Sequence, residues 1–66
     1  MHPSIAAIMT HFTYEHLPEH LQDVSKPIAE LAHSMATSPN LSGPELTAGL
    51  RKLLEAKDCL VRAAIT

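Results

Sequence analysis

The sequence predicts an all-α protein: a short N-terminal helix followed by a long antiparallel helical hairpin, completed by self-association into a compact homo-oligomer. Three observations carry this. Apolar residues recur at Leu17, Leu21, Val24, Ile28, Leu31 and Met35, at spacings of 4, 3, 4, 3 and 4. That is the heptad-like seam of a helix packed against another. A second set, Leu46, Leu50, Leu53, Leu54, Leu60, Val61, Ala64 and Ile65, falls on one arc of a helical projection. No segment alternates apolar and polar residues for long, so strands are not expected.

The first element is short. Pro3 suits an early helix position, and Ile5, Ala6, Ile8 and Met9 give an apolar run ending near His11. The second runs from about Pro18 to Thr37. Pro27 lies inside it, removing one backbone hydrogen bond and crowding the preceding turn, so a kink or short break is expected near Lys26. The heptad phase carries through, which favours a kink. Pro39 and Asn40 end this helix. The third element opens on Ser42-Gly43-Pro44-Glu45, which matches a capping box with Ser42 as N-cap and Glu45 at N3, and Leu41 and Leu46 at the staple positions. It should run from Gly43 to about Ile65. The short turn between the two long helices makes them antiparallel neighbours.

At 66 residues the chain forms one domain, residues 1–66. A chain this short buries only about 60% of its unfolded surface, and such chains add disulfides, a metal or subunit contacts. Cys59 is the only cysteine and CxxC spacing is absent, so self-association is the expected source of further burial. Apolar residues at 45% and charged residues at 18% mark a globular chain rather than a disordered one. A net charge of −2 supplies no field for DNA or RNA phosphates. The stretch PSIAAIMTHFTY is too short and too polar to span a membrane. With neither the basic start nor the cleavage pattern of a secretory signal, a reduced intracellular setting is expected.

Lys57 poses a sharper question. With Arg51 set at 0° and 100° per residue, the apolar set fills an arc from about 180° to 320°, and Lys57 falls near its centre at about 240°. Arg51, Glu55, Asp58 and Arg62 gather on the opposite side with alternating sign, the pattern of a solvated face. A lysine within an apolar arc either snorkels, its methylenes packed and its ammonium at an edge, or meets a partner, since a buried unpaired charge is costly. That partner would be a carboxylate of another subunit or an anionic ligand.

Other residues carry two readings as well. Lys26 is a surface lysine near Asp23 and Glu30, or a phosphate contact beside a kink. Phe12-Thr13-Tyr14 holds the only two aromatics. They either tie the N-terminal segment to the hairpin or offer a stacking platform for bases. His16 and His20 are four apart, but two ligands do not make a structural zinc site and Pro18 starts a helix between them, so no metal or cofactor is expected. Cys59 lies off the apolar arc with no activating pattern, and no triad, carboxylate dyad or phosphate loop is visible, so an enzyme is not expected.

FTYEHLPEHLQDVSKPIAELAH followed by LRKLLEAKDCLVRAAI resembles the small phage anti-CBASS cyclic-nucleotide sponges, whose hairpin is similar to one in anti-Thoeris sponges. The resemblance spans about residues 12–65, with LRKLLEAKDCLVRA its more specific part. It implies an α-helical homohexamer in the host bacterial cytoplasm that binds cyclic dinucleotides such as 3′,3′-cGAMP between subunits without cleaving them. Some such proteins also hold cyclic trinucleotides on a threefold axis. By position, the resemblance matches Tyr14 to the aromatic that stacks on a nucleobase, and Lys26 of SKP to the lysine that contacts phosphate. Arg51 or Arg62 would match the trinucleotide arginine. Phe12 and Lys57 complete the candidate set, with Lys57 lining a subunit interface. The competing expectation is a helical-hairpin interaction module, an antitoxin or adaptor, which would tolerate loss of Lys26.

Overall fold

The structure, a computed structural model, describes residues 1–65, so the last position of the expected 1–66 domain lies outside the described residues. The described residues form three α-helices and a 3-10 turn: α1 (Pro3–Met9), the turn Thr10–Phe12, α2 (Glu19–Ala36) and α3 (Gly43–Ile65). The all-α expectation is met, with all three helices close to their expected bounds. α1 ends two residues early because the Thr10 hydroxyl folds back onto the Ala7 carbonyl at 2.7 Å. Such side-chain bonds compete with the α-helical ladder, and the chain tightens into the 3-10 turn that delivers Phe12.

A seven-residue helix is unstable alone, so α1 is held by what it touches. Its N-cap is His2, whose Nδ1 accepts the Ser4 amide at 3.1 Å and lies 2.8 Å from Ser4 Oγ. Ser4 Oγ in turn approaches Thr47 Oγ1 of α3 at 3.4 Å. The larger contribution is apolar. Ile5, Ile8 and Phe12 are buried and cluster with Ala29 and Ala32 of α2 and Leu50 of α3. At about 1.5–3 kcal/mol for each fully buried side chain, these three outweigh any cap.

α2 passes through Pro27 as one uninterrupted helix, so the alternative of a break is excluded. Its heptad seam is only partly used inside the chain. The buried positions of α2 are Leu21, Ser25, Ala29 and Ala32, while Val24 and Ile28 are half-buried and Leu31 and Met35 are exposed. Ala29 and Ala32 of α2 cluster with Leu50 of α3, and Ile28, Leu46, Leu53 and Leu54 pack against that cluster. Ser25 is there for its size: its hydroxyl is fully buried and has no hydrogen-bond partner.

The capping box expected at Ser42 is not formed. Gly43 has φ +80°, so a left-handed residue stands between Ser42 and the helical stretch that follows. A box needs its N-cap to lead directly into the helix, which a left-handed Gly43 does not allow. The chain makes its turn at Gly43, where glycine carries no Cβ penalty. The connection before it is stabilised by Thr37 N–H and Oγ1, both donating to the His33 carbonyl, and by Ser38 Oγ, which accepts the Asn40 amide at 3.3 Å.

Candidate functional site

Tyr14 stands in the connection between the 3-10 turn and α2, half-buried with one side packed on the core. The connection is short and tightly bonded. Leu17 N–H donates to the Tyr14 carbonyl at 2.9 Å, and the Tyr14 amide donates to Glu15 Oε2 at 3.2 Å. From α2, Gln22 Nε2 donates to the Leu17 carbonyl at 2.8 Å and to the Glu15 carbonyl at 3.3 Å. One side chain thus clamps both ends of the segment that follows Tyr14. Neither composition nor motif had singled out Gln22; its one sequence signal is its place, one helical turn before Lys26.

Lys26 lies four residues beyond Gln22 and so on nearly the same side of α2. It is exposed. The one ion pair among the described residues joins Lys57 to Asp58, so neither Asp23 nor Glu30 pairs with Lys26. Its ammonium is open to an incoming anion.

Phe12 separates from Tyr14. At 3% exposed it is a core residue, so of its two readings it is the tie between the N-terminal segment and the long helices, and its ring has no face open to a base. Lys57 has a partner of a kind not anticipated. Its Nζ donates to the main-chain carbonyl of His11 at 3.0 Å and pairs with Asp58 Oδ1 at 2.9 Å, with the side chain 13% exposed. The lysine stem lies in the apolar arc while its head holds the end of the N-terminal segment. Arg51 and Arg62 are both exposed on α3. The alternating row they belong to forms no ion pair of its own: Asp58 turns to Lys57, and Arg62 Nη2 donates to Cys59 Sγ at 3.3 Å.

Two grooves flank the connection between α2 and α3. One, of about 570 Å³, is lined by His2, Ser4, Ile5 and the start of α3. The other, of about 550 Å³, lies between Leu31 and Met35 of α2 and Leu46, Gly49 and Leu53 of α3. Neither includes Tyr14 or Lys26, which lie towards the other end of α2. Among the described residues no group of three His, Cys, Asp or Glu side chains converges, and no helix is long and apolar enough to cross a membrane.

Comparison with family models, curated proteins and solved structures finds no match to this chain.

Proposed function

We propose that this protein binds and sequesters cyclic oligonucleotide second messengers, cyclic dinucleotides such as 3′,3′-cGAMP first among them, without cleaving them, and so blocks CBASS immunity in the host bacterial cytoplasm. The observation that carries the reading is local. Tyr14 is a half-exposed aromatic in a connection whose Glu15 and Leu17 carbonyls are bonded by Gln22, and Lys26, one helical turn beyond Gln22, is an exposed cation in no ion pair among the described residues. A cyclic dinucleotide brings two flat bases and two phosphates. An aromatic and a cation, repeated by symmetry, suit it.

In this reading α2 and α3 are an antiparallel hairpin, six chains assemble, and each ligand sits between two of them. The grooves at the α2–α3 connection do not include Tyr14 or Lys26. Exposed Arg51 or Arg62 serves a separate cyclic-trinucleotide site. The second reading, a hairpin module that docks a partner protein, draws its support from the apolar groove at Leu31 and Met35.

Isothermal titration with 3′,3′-cGAMP tests the proposal. A saturable heat at about one ligand per two chains is expected from a site shared across a symmetry axis. Tyr14→Ala should weaken binding about 5- to 150-fold, the equivalent of one stacked base. Lys26→Ala should weaken it about tenfold or more, as for a charge-assisted hydrogen bond. If neither 3′,3′-cGAMP nor cyclic triadenylate gives heat, the interaction module takes precedence.

A further inference from the structure

We infer that Lys57 is a positioning residue for Tyr14: from α3 it caps the 3-10 turn that leads into the Tyr14 connection, and with Gln22 of α2 it ties that connection to both long helices. This rests on the ligand reading proposed above and adds what holds its aromatic in place.

The helical stretch Pro3–Phe12 needs donors at its end. The last four carbonyls of a helical segment have no partner within it. Thr13 Oγ1 donates to the Thr10 carbonyl at 3.3 Å, and the next carbonyl, of His11, takes its donor from α3. Lys57 Nζ reaches it at 3.0 Å, across 46 positions of sequence. A cation suits that end of a helical segment, where the carbonyls carry partial negative charge. Asp58 Oδ1 lies 2.9 Å from the same ammonium and balances its charge. With a carbonyl and a carboxylate on it, the ammonium is committed within the chain, whereas Lys26 and Lys52 are exposed. A methionine would fill the apolar arc as well as the lysine stem does, but only a donor can hold a carbonyl.

Two residues separate His11 from Tyr14, and neither is loose. Phe12 is buried in the core, and Thr13 is bonded back to Thr10. Tyr14 itself packs against the same core. Beyond it, Gln22 Nε2 holds the Glu15 and Leu17 carbonyls. Tyr14 thus stands between two side-chain anchors, one from each long helix, and both act on main-chain carbonyls. A ring placed in advance does not have to be ordered when a base stacks on it. Affinity then scales with the fraction of chains in which the connection is in place.

Tyr14 is the only tyrosine and the chain has no tryptophan, so intrinsic fluorescence reads the ring without a ligand. Lys57→Met keeps an apolar stem and removes the donor, and Lys57→Arg keeps a donor. At unchanged helix content by circular dichroism, Lys57→Met should raise iodide quenching of Tyr14 and lower its anisotropy. Lys57→Arg should return both towards the parent values. Lys57→Met should also weaken 3′,3′-cGAMP binding about tenfold, the size of one lost hydrogen bond to a charged group. The dependence of that binding on salt should stay as in the parent, whereas Lys26→Ala should flatten it. Parent-like quenching in Lys57→Met overturns the inference, as does an arginine variant as exposed as the methionine one. A flattened salt dependence in Lys57→Met also overturns it, because Lys57 would then meet the ligand directly. Acetylation of the native parent with limiting acetic anhydride, mapped by mass spectrometry, needs no variant. Lys57 should react more slowly than Lys26 and Lys52, and equal rates overturn the inference. The fluorescence and acetylation arms need no nucleotide. No heat from 3′,3′-cGAMP or cyclic triadenylate, with the quenching change intact, would sink the ligand reading alone. Heat with parent-like quenching in Lys57→Met would sink the positioning role alone.

Discussion

Gln22 carries a prediction that needs no ligand. Its amide holds two carbonyls of the connection behind Tyr14. Tyr14 is the only tyrosine and the chain has no tryptophan, so intrinsic fluorescence reports that one ring. Gln22→Leu keeps the stem and removes both bonds. Iodide quenching of Tyr14 should rise and its anisotropy should fall while helix content holds, and cGAMP binding should weaken in parallel. Unchanged quenching would show that core packing alone holds the ring. The residue scale is also where sequence reading reached its limit. That Lys57 would either snorkel or meet a partner followed from its place in the apolar arc. That the partner is the His11 carbonyl did not, because that group arrives from 46 positions earlier in the chain, and no local pattern encodes a main-chain acceptor. The split between Phe12 and Tyr14 has the same origin: two residues apart, one is carried into the core by a 3-10 turn and the other is left at its edge.

At the scale of elements, periodicity located the helices and came close to their ends. Pro3, Pro18, Pro39 and the 3.6-residue apolar spacing set all three helices within two residues of where they lie. The start of α3 at Gly43 was read correctly, but its cap was not: Ser42-Gly43-Pro44-Glu45 satisfies the letters of a capping box, while the left-handed Gly43 defeats its geometry. This has a direct consequence. A Cβ at Gly43 would meet no atom within 4 Å, so Gly43→Ala creates no clash, and its whole cost is the left-handed backbone, about 1–2 kcal/mol for a residue with a Cβ. In a domain of this size that lowers Tm by roughly 4–15 °C. Thermal denaturation followed by circular dichroism checks it. An unchanged Tm would mean that the turn can be rebuilt with an ordinary residue, and that the capping box then takes over.

At the scale of the molecule, the two apolar stripes were legible, but which side of each would be used inside the chain was not. That choice was made by Ser25, Ala29 and Ala32, small residues at spacings of 4 and 3 beside the heptad seam. They admit α3 closely and leave Leu31 and Met35 outside. Hydrophobic periodicity weighs large side chains and so points at the seam, whereas close approach favours the stripe without bulk. The outcome leaves 4472 Å² accessible on a 7.2 kDa chain, where a self-contained monomer of that mass exposes about 4,100 Å². Against an unfolded surface of about 10,400 Å², the chain buries a little under 60%, the range in which stability is marginal. Stability should therefore depend on association, and mass action fixes how. For a pair of chains that unfold as they separate, each tenfold rise in concentration adds about 1.4 kcal/mol per pair, or about 0.7 per chain. Tm should then climb about 3–6 °C per tenfold increase, measured by differential scanning calorimetry over two decades of concentration. A Tm that does not move with concentration would mean that α1, α2 and α3 are sufficient as one chain, and that the exposed leucines contribute nothing to holding it folded.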